Sequence, residues 1–459
     1  MTLSLTSLGG AGTVTGSKHL LNYDGRRLLV DCGLFQGPRE LRELNSRRLE
    51  VEPASIDAVV LTHAHLDHSG YLPRLVNDGF DGPIYATPAT IDVARLILLD
   101  SAFLQEKDAE FANRHGFSRH RPALPLYTRA DAELALEKFR PGAFHEPHDL
   151  GGDASLLFRR AGHILGAATA EIHISGQTIV FSGDLGRYGD ETMVDPAPVP
   201  HADCLVIEST YGDRLHPKID TQQVLHDIIE RTARRGGTIL IPAFAVGRTQ
   251  EVLYLLRELE DAKRIPVLPV IVDSPMAAQA TQVYNRWNEE HDEEYASILM
   301  QKRHPLRTAS MSTAATRDES KKLNDMRGSR IIISASGMLT GGRVLHHAMR
   351  VLPDENATII FVGYQAAGTT GRHVLDGDRE AKVMKNWIPV RCHVEKVEGF
   401  SAHADWKGVI RWLEGLNGTP KTAFTTHGEP EAAEAMAQHI RDRFGWNVEV
   451  PQYGQTVEL

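Results

Sequence analysis

Cysteine is scarce in this chain: Cys32, Cys204 and Cys392 are the only three among 459 residues, far apart and without a CxxC pair. Their odd number and spacing argue against a disulfide framework or a structural zinc knuckle. They read instead as small buried apolar residues of a reducing compartment. Long apolar runs are also missing. No stretch approaches the roughly 18 residues of a membrane-spanning helix, and the opening MTLSLTSLGGAG has neither the basic nor the apolar region of a signal peptide. No low-complexity tract, charge block or internal repeat is present, which argues against disorder and solenoids. Basic residues are outnumbered, for a formal net charge of −10, which speaks against a protein that coats nucleic acid by bulk electrostatics. It weighs less against an enzyme, because metal-binding carboxylates count as negative while the charge of their ions goes uncounted. What is left is a cytoplasmic globular protein of two or more domains that crosses no membrane.

The pattern of apolar residues changes along the chain. Up to about residue 205 it reads as short strands and hairpins (Leu3–Leu8, Lys18–Tyr23, Arg27–Asp31, Ile56–Thr62, Pro83–Ala86, Ser155–Arg160, Thr169–Ile174, Gln177–Ser182) with a long helix from Ile91 to about Ala112. Beyond it, strands alternate with helices: Cys204–Glu208, Thr221–Arg235, Thr238–Pro242, Thr249–Lys263, Val267–Asp273, Ser329–Ser334, Thr358–Tyr364. After a strand near residue 390, helix Trp406–Leu416, strand Thr422–Thr426, helix Ala432–Phe444 and strand Asn447–Val450 complete the pattern. A β-rich domain interrupted by an α/β insertion is expected.

Chemistry concentrates in LTHAHLDHSG, residues 61–70, directly after the apolar run from Ile56. In extended backbone His63 and His65 point to the same side and reach one ion. Asp67 and His68, past the strand end and before a helix opened by Ser69-Gly70, turn differently and suit a neighbouring ion. One tetrahedral ion does not need four ligands from a hexapeptide, so the segment reads as half of a two-metal site. His163 in AGHILGA and Asp184 in VFSGDLG sit at other strand ends. Alone, the first reads as a core or surface histidine and the second as an Asx-turn or helix cap. Glu208 alone reads as a strand-end acid, and His403 as a residue opening a helix.

Together, HAHLDH (63–68), His163 and Asp184 resemble the metallo-β-lactamase superfamily of two-metal hydrolases, with Asp31 in LLVDCG as its early aspartate. The resemblance implies an αββα sandwich binding two Zn2+ ions per chain. His63, His65 and His163 would hold one ion, Asp67 and His68 the other, with Asp184 bridging and Asp31 orienting a ligand histidine. VIESTYGDR (206–214), IPAFAVGRTQE (241–251), VDSPMA (272–277), ISASGMLTGGR (333–343), GFSAHAD (399–405) and FTTHGE (424–429) resemble the β-CASP branch of that superfamily. Its members include RNA-processing nucleases such as the endonuclease subunit of the cleavage and polyadenylation factor and its prokaryotic relatives. That implies a metallo-β-lactamase domain over 1–208, a β-CASP cap domain over 209–394 lying above the metal site, and completion of the first domain over 395–459. Residue by residue, Glu208, His403 and His427 match the branch's motifs A, B and C. His427 would complete the second zinc site, and histidine there resembles members directed at RNA rather than DNA.

The expected activity is hydrolysis of single-stranded RNA, endonucleolytic, 5′-exonucleolytic or both, with Glu208, His403 and Asp67 as catalytic groups. Glu208 would hydrogen-bond His403 and fix its tautomer. The backbone of the loop carrying Ser334, Ser336, Gly337, Gly341 and Gly342 would receive phosphates, with Arg248 and Arg343 as clamps. An ordinary strand-to-helix turn and paired surface arginines explain those residues equally well. The competing enzyme reading is a small-molecule (thio)ester hydrolase of the same sandwich, which needs neither the insertion nor Glu208 and His403. A non-catalytic scaffold would be expected to have lost ligands, and here all seven positions are intact. The chain starts at the first sandwich strand and ends after the last, so RNA capture is expected to rest on the cleft, a second copy of the chain or an RNA-processing partner.

Overall fold

The computed structural model describes residues 3–116, 121–301, 303–366 and 368–459. The chain divides into two compact units, Met1–Leu215 with His403–Leu459, and His216–Ala402. The insertion thus leaves and re-enters the first unit a few residues later than the boundaries expected at 208 and 394.

In the first unit two seven-stranded sheets pack face to face. One runs Thr456–Glu458, Ser4–Gly9, Lys18–Tyr23, Arg26–Val30, Ala58–Val60, Ile84–Ala86, Phe139–Pro141. The other runs Val448–Glu449, Thr422–Thr426, Cys204–Glu208, Gln177–Phe181, Ala168–Ile174, Ala154–Arg160, Pro147–Gly151. Leu5, Leu21, Leu28 and Val30 from the first sheet share a core with Phe158, Ile172, Phe181, Val206 and Phe424 from the second.

Strand Cys204–Glu208 shows the period-2 logic of a strand buried on both faces. Cys204 and Val206 enter that inner core. Leu205 and Ile207 point outward to Trp412, Leu413, Met436 and Ile440 of helices Trp406–Leu413 and Pro430–Phe444. On the other sheet's side, helix Pro88–His115 packs on helix Arg129–Glu137 and strand Phe139–Pro141. The layers are α, β, β, α, as the resemblance implied.

The second unit holds a six-stranded sheet whose neighbouring strands pair in parallel: Met311–Thr313, Val270–Val272, Arg330–Ser334, Thr238–Pro242, Thr358–Phe361, His393–Lys396. Helices such as Thr221–Arg234, Arg248–Asp261 and Val344–Val351 alternate with its strands. Among the described residues no helix is long and apolar enough to cross a membrane.

Three local expectations change. The helix after HAHLDH begins earlier than Ser69: Leu66–Ser69 is already a helical turn with His65 at its N-cap, followed by Leu72–Asn77. The hairpin Glu380–Val383 with Asn386–Pro389, whose turn takes positive φ at Met384 and Lys385, was not expected. Asn447–Val450 is not the final strand, because Thr456–Glu458 pairs antiparallel with the first strand, Leu5 opposite Val457.

Candidate metal centre

The buried strand Ala58–Val60 runs into Leu61 and Thr62 and delivers His63 fully buried. The loop that follows is clamped by backbone bonds. Cys32 N donates to His68 O (2.7 Å), Leu34 N to Leu66 O (2.8 Å) and Ser17 N to Asp67 O (2.9 Å). A side chain at Gly33 would lie 1.6 Å from Asp67 O, so glycine is required for that approach. Asp31, at φ 59°, turns back onto the loop. Its Oδ1 accepts the Thr62 amide (2.8 Å) and its Oδ2 lies 2.8 Å from His68 Nδ1. His68 Nδ1–H therefore donates to Asp31, which leaves Nε2 as a lone-pair donor facing inward.

Asp184 follows strand Gln177–Phe181 across Gly183, at φ 56°. His163 lies between strands Ala154–Arg160 and Ala168–Ile174 and is buried. His427 ends strand Thr422–Thr426 at φ 50°, its amide tied to Gly10 O at 2.7 Å.

These residues converge as two donor sets. In the first, His65 Nδ1 lies 3.2 Å from both His63 Nε2 and His163 Nε2, and Asp184 Oδ2 lies 3.4 and 3.5 Å from those same nitrogens. In the second, His68 Nε2 lies 3.2 Å from His427 Nε2 and 3.2 Å from Asp184 Oδ1, while Asp67 Oδ2 is 3.4 Å from His427 Nε2. An ion held tetrahedrally at about 2.0–2.1 Å by nitrogen keeps its donors about 3.3 Å apart. The separations given are near that edge length: His63, His65, His163 and Asp184 form one cluster, Asp67, His68 and His427 a second, and Asp184 turns its other oxygen toward His68 of the second.

The two sets differ in electrostatics: in the second, burial is outweighed by the Asp184 and Asp31 carboxylates, which hold His68 well above its ordinary value. Burial, with His63 adding to it, pulls His65 down to about 3, so its imidazole is a neutral donor. Burial opposes ionisation of Asp184, yet the surrounding histidines hold its carboxyl well below the usual range. Among the described residues neither Asp184 oxygen has a hydrogen-bond partner. A buried carboxylate in that position needs a cation.

Beside the donor sets, Glu208 and His403 meet. Leu185 N donates to Glu208 Oε1 at 2.7 Å, and His403 Nδ1 lies 3.2 Å from Oε2. Burial lowers the affinity of His403 for its second proton, but the Glu208 and Asp184 carboxylates outweigh it and lift the imidazole to about 9. His403 is the outer member, with its side chain 21% exposed against 1% for Glu208.

Comparison with known proteins settles the family. Residues 16–235 match the Metallo-beta-lactamase superfamily, 249–374 the Beta-Casp domain and 387–451 the Zn-dependent metallo-hydrolase RNA specificity domain. Ribonuclease TTHA0252 of Thermus thermophilus is 37% identical over 458 residues, covering 100% of both chains. The chain belongs to the β-CASP branch of the metallo-β-lactamase superfamily. Transcription termination factor FttA of Methanosarcina mazei is 32% identical over 450 residues, covering 95% of this β-CASP protein and 68% of the relative. A crystal structure of a protein of unknown function from Enterococcus faecalis V583 shares the fold, with a TM-score of 0.58 at 16% identity over 100% of both chains.

The residues expected to bind RNA all lie in the second unit of this β-CASP protein. Ser334 is buried and its hydroxyl donates to Asp273 O (2.9 Å), while Ser336 pairs with Thr340 (2.9 Å). Gly337 and Gly341 line the loop, and Gly342 takes φ 78°. The two arginines are engaged within the protein. Arg248 pairs with Glu251. Arg343 donates to Asp273 Oδ1 (2.8 Å), Ala314 O (2.7 Å) and Ala315 O (3.0 Å), and His347 binds the other oxygen of Asp273 at 2.6 Å. Arg343 thus braces the strand ends from within the protein.

Two residues escaped sequence reasoning. Thr62 Oγ1 lies 3.2 Å from His63 Nδ1, and Thr210 Oγ1 lies 3.2 Å from His427 Nδ1. The Thr62 hydroxyl faces the His63 nitrogen turned away from its donor set, while the Thr210 hydroxyl shares His427 Nδ1 with Asp184 Oδ1, 3.4 Å from that nitrogen. The only signal was adjacency, Thr62 standing directly before the first histidine.

Proposed function

We propose that this β-CASP protein is a zinc-dependent ribonuclease that hydrolyses phosphodiester bonds of single-stranded RNA in processing or decay, by internal cuts, removal of 5′ nucleotides, or both. One observation carries the reading: an imidazole held by a buried carboxylate, Glu208–His403, stands beside two metal-type donor sets, each with an oxygen of Asp184 turned toward it. The 37% identity to a ribonuclease along the whole chain and the match over 387–451 to an RNA specificity domain support RNA as the substrate.

His63, His65, His163 and Asp184 would hold one Zn2+, and Asp67, His68 and His427, with Asp184 beside them, the other. The bound ions supply Lewis-acid polarisation of the phosphate and acidification of the attacking water. The chain does the rest. Asp31 fixes the tautomer of His68 through Nδ1. Asp67, the more exposed of the two aspartates, orients the attacking water. Glu208 holds His403 so that the imidazolium faces the phosphate, stabilises its developing charge and protonates the leaving oxygen. We place the protein in the cytoplasm on its three buried, unpaired cysteines.

The test incubates zinc-loaded protein with end-labelled single-stranded RNA and the matching DNA, beside His403→Ala and Asp184→Ala. RNA cleavage lost in both variants is expected. Intact RNA with the wild type, or equal cleavage by Asp184→Ala, overturns the reading.

A further inference from the structure

In the second unit, two aromatic side chains stand in solvent although their neighbours in sequence are buried. Phe244 is 47% exposed between Ala243 at 1% and Ala245 at 4%. Tyr364 is 64% exposed, beside Gln365 at 3%. They follow adjacent parallel strands, Thr238–Pro242 and Thr358–Phe361, whose register sets Leu240 opposite Ile359. Phe244 comes shortly after the first strand and Tyr364 shortly after the second, so both lie beyond the same carboxyl edge of the sheet. That edge is where parallel α/β sheets place their ligands.

The loops carrying the rings are fixed from beneath. Ala243 N donates to Ser334 O (3.2 Å), and the Thr249 hydroxyl to Phe244 O (2.7 Å). The buried Gln365 amide donates to Gly337 O (3.0 Å) and Gly363 O (3.1 Å). Gly371 N donates to Met338 O (3.0 Å), so the loops after three neighbouring strands are tied together. A side chain on Gly337 would come within 3.4 Å of Phe244 N, which shows how closely the central loop underlies the ring. The loop backbones are thus already ordered, so a flat partner settling on either ring has only the ring's own torsions to fix.

The surroundings select the partner. Small residues adjoin both rings: Gly337 lies against Phe244, and at Gly363, the residue before Tyr364, a Cβ would meet nothing within 4 Å. A protein-docking core is contiguous and apolar. Single π-faces beside small residues instead match unpaired nucleobases with a backbone running past them.

We propose that Phe244 and Tyr364 form a stacking platform in the β-CASP unit, each ring taking one base of single-stranded RNA. The platform rests on the ribonuclease reading for its substrate. It accounts for RNA binding by a chain of net charge −10, because stacking does not depend on bulk positive charge.

The experiment uses the full chain and Phe244→Ala, Tyr364→Ala, the double variant, and the ring-preserving Phe244→Tyr and Tyr364→Phe. Two readouts are taken: steady-state cleavage of a single-stranded oligoribonucleotide, and fluorescence of a 2-aminopurine-labelled oligonucleotide titrated with chelator-treated protein. Each alanine variant is expected to raise KM about tenfold or more at unchanged kcat and to lose 2-aminopurine quenching. The ring-preserving variants restore both. On an oligonucleotide abasic throughout, wild type and alanine variants converge. Wild-type KM and quenching in the double variant overturn the platform, as does an undiminished loss on the abasic strand. A changed oligomeric state in the alanine variants also overturns it, in favour of a protein interface. If the wild type quenches 2-aminopurine but cuts no RNA, the ribonuclease reading fails while the platform stands.

Discussion

His403 Nδ1 lies 3.2 Å from Glu208 Oε2, while the other oxygen of that carboxylate accepts the Leu185 amide at 2.7 Å. The backbone thus aims the carboxylate, and the carboxylate aims the imidazole. Glu208→Gln keeps the shape and can still accept from Leu185, but loses the anion. RNA cleavage is expected to fall about 10²–10⁴-fold with bound zinc unchanged by elemental analysis. An undiminished rate would remove Glu208 from the mechanism.

Asp31 touches His68 without belonging to either donor set. Asp31→Ala is expected to weaken zinc retention about 10–100-fold, read by competition with a chromogenic chelator. Zinc affinity equal to the wild type would show that the backbone bonds clamping the loop alone hold His68.

Chelation should lower stability as well as activity, because Asp184 is buried with no hydrogen-bond partner among the described residues. Zinc at a hundred times its dissociation constant stabilises by about 2.7 kcal/mol. The wild-type Tm should fall on chelation and recover with zinc, and that of Asp184→Asn should move much less. A wild-type Tm indifferent to chelator and zinc would contradict the two-set geometry.

In the second unit, Asp273→Ala strands Arg343 and His347. A loss of about 3–5 kcal/mol is expected, as for breaking a buried pair, measured by urea unfolding. Arg343→Gln should likewise lower stability more than it raises KM for RNA. The reverse order would mark Arg343 as a phosphate contact.

Lys18 is 1% exposed, its ammonium donating to Gly33 O and lying 4.5 Å from the Phe35 ring. Burial, weakly opposed by Cys32, lowers it from 10.5 to about 8. Below pH 8 both folded and unfolded chains carry the proton and the penalty is complete. Between 8 and 10.5 the unfolded chain binds more protons, so folding strengthens as pH rises. Relative to Lys18→Met, the wild type should gain on the order of 3 kcal/mol across that window, read by urea unfolding at pH 7.5 and 10.5. A constant difference between the two proteins would show that Lys18 keeps its ordinary affinity.

The donor sets were legible where ligands crowd one segment, as in HAHLDH, whereas His163 and Asp184, each unremarkable alone at a strand end, became ligands only in combination with that segment. His427 and the Glu208–His403 pair carried no local signal and came only through the family's motifs. Thr62 and Thr210 were not legible because a threonine hydroxyl becomes a partner only when folding brings it to a ring nitrogen. Asp273, Arg343 and His347 meet across the ends of neighbouring parallel strands, a proximity that the spacing along the chain conceals. Thr456–Glu458 is too short to show alternation and is a strand because Ser4–Gly9 offers it an edge.

Strands Cys204–Glu208 and Thr422–Thr426 lie side by side in parallel, Glu208 opposite Thr426, yet the whole of His216–Ala402 is threaded between them in the chain. Translation therefore delivers HAHLDH, His163 and Asp184 long before His403 and His427. A nascent chain at that stage has one donor set, an unfinished second and no proton donor, while still tethered to a messenger RNA. On the ribonuclease reading, cleavage therefore has to wait until both later segments have been made. Ribosomes arrested before codon 403 should leave their message intact, and chains extended well past residue 427 should acquire the capacity to cut it.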